Sequence, residues 1–97
     1  MKKKQIIINV LLNRSKFCYE MADLGTTQQK ISFCKKSVTY KSAAEKLDTM
    51  SIRKYKKELK KAFFILGKQL TSNFKSETSE TLAKSELEVI GEILLIL

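Results

Sequence analysis

The chain has 97 residues, 43% of them apolar, with no proline, three glycines and no histidine. This excludes a wholly disordered chain and removes the commonest general base and metal ligand. The net charge of +9 is confined to Lys30–Lys68, where twelve basic residues face Glu45, Asp48 and Glu58, while the remaining residues cancel at seven of each sign. A charge held in one stretch points to a surface for a polyanion.

The start, Met1-Lys-Lys-Lys-Gln before the apolar run Ile6–Leu12, imitates a signal peptide. Asn9 interrupts that run, and no small-residue cleavage site follows. The run Ile90–Leu97 is too short to span a bilayer and contains Glu92. The expectation is a soluble, cytoplasmic chain with no membrane span.

From Ile6 to Leu24, the residues Ile7, Val10, Leu11, Phe17, Cys18, Met21 and Leu24 fall roughly on one helical stripe. Gly25 suits the left-handed position after a helix. The β-branched run Ile6–Val10 leaves a strand open as the second reading. Cys18 and Cys34 lack a CxxC spacing or a nearby ligand set, so no metal site is expected. Both fall on apolar-looking helix positions and read as buried free thiols, with a disulfide between them the less favoured reading. Without histidine, and with no phosphate-cradling glycine loop, nothing points to a catalytic group or a cofactor. The expectation is a non-enzyme.

Thr26 or Thr27 caps a short helix over 28–36, with Ile31, Phe33 and Cys34 as its apolar positions. Thr39 caps the next, over 40–47, whose inward residues are Ala43, Ala44 and Leu47. Asp48-Thr49-Met50 is the expected turn, with Asp48 able to take a left-handed conformation. Ser51 caps the clearest helix. On a wheel, Ile52, Tyr55, Leu59, Ala62, Phe63 and Leu66 share one stripe. Arg53, Lys54, Lys57 and Lys61 lie opposite, with Lys56 and Lys60 on the flank. Phe64 and Ile65 break the polar side, which predicts that the helix is covered all round from that point.

Residues 71–79 read as a polar loop, followed by an acidic helix over 80–97 that repeats Leu82, Leu87, Ile90, Leu94 and Leu97. Two roles stay open for Phe64, Ile65, Leu87, Ile90, Leu94 and Leu97, core packing or a dimer seam. The expected fold is all-α, a single domain over 1–97 of four to five helices. An N-terminal helix or arm (1–25) precedes a helix-turn-helix core (26–70), the polar loop (71–79) and a C-terminal packing or dimerisation helix (80–97).

The pattern Thr39-x-Lys41-x-x-Ala44-x-x-Leu47, then Ser51-x-Arg53-x-Tyr55-x-Lys57, with Leu59, Ala62 and Leu66-Gly67 behind, resembles a known motif. It is similar to the helix-turn-helix of sigma-factor region four, of LuxR/GerE-type regulators and of ArpU-type phage regulators. It covers about thirty residues and departs from the family pattern at Asp48, at Ala43 and in a turn one residue longer. The resemblance implies a small DNA-binding transcriptional regulator, phage or mobile-element encoded, with its second helix in the major groove of double-stranded DNA. It implies contacts from Ser51, Arg53, Lys54 and Lys57, with Lys41 reaching a phosphate. Arg53 can read guanine through its planar fork, and the lysines, Lys56, Lys60 and Lys61 among them, suit phosphates. A homodimer through the C-terminal helix, or docking beside RNA polymerase or another protein, completes that expectation. The alternative is a small helical interaction module, bacteriocin-immunity-like or a mobile-element inhibitor, in which the basic residues serve a protein partner or solubility.

Overall fold

The computed structural model describes residues 3–71 and 76–97, and these form four helices. They are α1 (Lys3–Ala22), α2 (Thr27–Thr49), α3 (Ile52–Gln69) and α4 (Glu77–Ile96), with no strand among the described residues. The fold is all-α, and Ile6–Val10 is helical. Residues 72–75 of the expected polar loop lie outside the described residues. Glu77–Ser79, assigned to that loop from sequence, form the first turn of α4.

α1 and α2 make an antiparallel hairpin, α4 lies on α2, and α3 rests chiefly on α4 and only slightly on α2. The hairpin is tied at its start by a capping box. The Gln29 backbone N–H donates to Thr26 Oγ1 at 3.3 Å, and the Thr26 N–H donates to Gln29 Oε1 at 2.9 Å. Gly25 does not take the expected left-handed conformation, since no described residue has a positive φ. Its demand is spatial, because a Cβ there would stand 2.8 Å from the Gln29 Cβ.

Two expectations are corrected. The helices anticipated over 28–36 and 40–47 are one 23-residue helix. No glycine or proline lies between Thr27 and Thr49, so nothing breaks it. Thr39 is no cap; its hydroxyl donates back to the Lys35 carbonyl at 2.8 Å. Asp48 and Thr49 close α2, and the link to α3 shrinks to Met50 and Ser51, both extended.

The second correction is the phase of α1. Its inward residues are Ile7, Ile8, Leu11, Ser15, Cys18 and Ala22. Phe17 and Leu24, expected inside, are 59% and 79% exposed. The core side is fixed by a serine pair rather than by the largest apolar residues. Ser15 Oγ donates to the Ser37 carbonyl at 2.8 Å, and Ser37 Oγ donates to the Ser15 carbonyl at 2.8 Å. Small side chains bring the two helices close, and reciprocal hydrogen bonds satisfy the hydroxyls that close approach buries. Around this contact the core gathers Leu11, Tyr40, Ala44, Leu47, Tyr55, Leu59, Val89, Ile90 and Ile93. Removing the Ser15 hydroxyl in Ser15→Ala is expected to cost about 1 kcal/mol. Forcing the helices apart in Ser15→Leu should cost about 3 kcal/mol, and urea denaturation distinguishes the two.

Both cysteines are free; Cys18 is buried as expected, but Cys34 is exposed. Burial pushes the Cys18 thiol above its ordinary range. A thiol-reactive probe is therefore expected to modify Cys34 in the native protein and to reach Cys18 only after denaturation, as the labelling stoichiometry with and without urea will report.

Candidate nucleic-acid interface

α3 carries seven basic residues and one acid, Glu58. Its start is fixed by Ser51, whose Oγ accepts from the Lys54 backbone N–H at 3.1 Å. The inward stripe is as expected at Tyr55 and Leu59, which are buried, and at Ile52 and Leu66, which are half-buried. Ala62 and Phe63, assigned to the same stripe, are exposed, although Phe63 still touches α4 beside Gly91. Arg53, Lys54, Lys57, Lys60 and Lys61 are exposed and Lys56 is half-buried. None of these six cations makes an ion pair among the described residues.

The contrast with the rest of the molecule is sharp. α4 supplies glutamates to the cations of the hairpin. Lys36 Nζ lies 2.8 Å from Glu88, Lys35 Nζ 3.7 Å from Glu86, and Arg14 Nη1 3.2 Å from Glu92. Of the basic stretch recognised in the sequence, the α2 part is thus partly neutralised internally, whereas the α3 part faces outward.

The other expected contacts are placed as follows. Lys41 is exposed on the α1–α2 side, in a groove with Lys16, Leu12 and Val38, away from α3. Two α2 lysines, Lys46 and the Glu86-paired Lys35, border a cleft of about 210 Å³ with Tyr55, Glu58 and Leu59 of α3. Lys46 was missed, although it falls in the same basic stretch. Phe64 and Ile65 are not covered as predicted; they are 62% and 57% exposed. Lys68 Nζ sits 4.6 Å above the Phe64 ring, so these apolar residues share their surface with cations. Ile90 is buried, Leu94 and Leu97 are half-buried against the core, and Leu87 is half-buried.

A second polar centre lies between α1, α2 and α4, in a cleft of about 280 Å³ lined by Arg14, Phe17, Cys18, Phe33, Lys36, Tyr40 and Glu92. The Tyr40 hydroxyl donates to the Glu92 carboxylate, which also receives Arg14. Tyr40 is buried. Desolvation, helped by that carboxylate, pushes its phenol up to about 12. Burial does the same to Tyr55, also to about 12, with Glu58 adding to the effect. Among the described residues no group of three or more His, Cys, Asp or Glu is arranged to hold a metal ion.

With this geometry in hand, comparison with known proteins gives no match to a family model, a curated protein or a solved structure. No described helix is long and apolar enough to cross a membrane.

The raised tyrosines set an alkaline limit. Between the ordinary value of 10.0 and about 12, the folded chain retains phenolic protons that the unfolded chain has released. Stability is therefore expected to be intact with respect to these groups below pH 10 and to fall as pH rises toward 12. Thermal melts across that window should show the decline, and a Tyr40→Phe/Tyr55→Phe variant should flatten it.

Proposed function

We propose that the protein is a small DNA-binding regulator that docks the outer face of α3 on double-stranded DNA. The carrying observation is the row of cations on α3, without acidic partners among the described residues, while α4 glutamates meet three cations of the hairpin. Lysines at this density supply phosphate contacts and salt-dependent affinity. Arg53, in the first turn of α3, is the residue suited to a bidentate base contact. Ser51 contributes by capping α3, which fixes the angle at which Arg53 and Lys54 leave the helix. The two-residue link between α2 and α3 and the resemblance to helix-turn-helix regulators of phage and mobile elements support the same reading.

A second reading, a protein-interaction module, is favoured by a different feature. Leu12, Tyr19 and Val38 are exposed around a groove of about 420 Å³ between α1 and α2. Apolar residues at a groove suit a protein partner better than a nucleic acid.

Fluorescence anisotropy on mixed-sequence duplex DNA tests the first reading. Wild type is expected to bind with a log–log salt slope near −4.5, from about five phosphate contacts. Arg53→Ala/Lys57→Ala should weaken binding by roughly tenfold or more and flatten the slope. Absence of binding at low salt would overturn the DNA reading in favour of the protein module.

A further inference from the structure

α1 has a second stripe, apolar at Ile6, Val10, Phe17 and Leu24, that its own fold covers only in part. The core uses Ile8, Leu11, Ser15, Cys18 and Ala22, spaced three and four apart. On the far side, Ile6, Val10, Asn13, Phe17 and Glu20, with Leu24 just past the helix end, repeat at the alternating four-and-three spacing of a coiled-coil seam. Ile6, Phe17 and Leu24 are exposed, and Val10 and Met21 are only half-buried. A helix with two such seams is built to pack on two sides, and α2 accounts for one of them.

The charges at the ends of α1 say what the other side meets. Lys3 and Lys4 occupy its first turn, no basic residue lies in its last turn, and Glu20 and Asp23 lie at its C-terminal end. Both placements oppose the helix's own dipole, which favours acids at the start and bases at the end. None of the four has an ion-pair partner among the described residues. We infer that α1 pairs with α1 of a second copy, antiparallel about a two-fold axis near Asn13. In that arrangement Lys3 and Lys4 of each copy approach Glu20 and Asp23 of the other, Val10 packs on the partner's Phe17, and the two Asn13 side chains meet. A parallel pairing would instead set lysine against lysine and glutamate against glutamate. An asparagine inside an apolar seam is a known means of fixing register.

The seam is separate from the α3 surface, so this inference does not depend on DNA binding. It moves the expected dimer contact from the C-terminal helix to α1, since Ile90, Leu94 and Leu97 pack into their own core.

Sedimentation equilibrium on the full chain tests it. Wild type is expected at twice the 11.1 kDa chain mass. Phe17→Ser, at an exposed position, should weaken the dimer by roughly a hundredfold or more, because two rings leave the interface, with unchanged helicity by circular dichroism. Lys3→Glu/Lys4→Glu should weaken it by roughly tenfold, and adding Glu20→Lys/Asp23→Lys in the same chain should restore it. A wild-type monomer at every concentration overturns the proposal. So does a dimer that both Phe17→Ser and the charge reversals leave intact.

Discussion

The acidic character of α4 organises this molecule. Five glutamates lie on one helix of a chain that is otherwise basic, and three of them meet cations of α1 and α2. These pairs are partly exposed and each contributes little to stability. Their effect is on register. Glu86, Glu88 and Glu92 stand opposite Lys35, Lys36 and Arg14, so sliding α4 along the hairpin breaks all three pairs at once. Beneath them, Ser32 and Ser85 share a hydrogen bond at 2.7 Å, and Val89 and Ile93 enter the core. Polar matching sets the alignment and apolar burial supplies most of the free energy.

The same arrangement determines what remains outside. Because α4 faces the hairpin with its glutamates, α3 is held on α4 largely through apolar residues, with Phe63 lying against Gly91. No carboxylate of α4 reaches the lysines of α3 among the described residues. The molecule is also thin, at 42 × 31 × 18 Å. Its shortest dimension is less than two helix diameters, so few positions have neighbours on all sides. That shape explains why the second stripe of α1 and the C-terminal end of α3 stay uncovered.

Much of this was legible in the sequence. Helix-favouring composition gave the all-α class, and the cap at Ser51 was readable from residue type, with Thr26 one of two candidates for the cap of α2. The stripe through Tyr55 and Leu59 followed from a helix that is apolar on one side. α1 was harder because it is apolar on two sides, so a wheel offers two core faces of similar strength. The choice falls to Ser15, whose small side chain fits the crossing with Ser37, a preference that hydropathy cannot express. The false break at Thr39 has a related cause. A threonine reads as a cap, but its hydroxyl can equally bond the preceding turn, and only the continuity of packing against α1 and α4 decides.

Two surfaces are left with charges that the fold does not use, and they differ in kind. The outer face of α3 is basic apart from Glu58 at its edge, so a second copy laid against it would bring lysines together and bury Phe64 and Ile65 against strong repulsion. Three of the α4 glutamates are already engaged with cations of the hairpin rather than with this face. The two ends of α1 carry opposite signs, Lys3 and Lys4 at the start and Glu20 with Asp23 at and just past the end, with Ile6, Val10 and Phe17 between them. That pattern is complementary to its own reverse. Charge segregation along the chain therefore separates a basic face on α3 from a mixed-sign one on α1, so the proposed DNA contact and the proposed self-association rest on different helices.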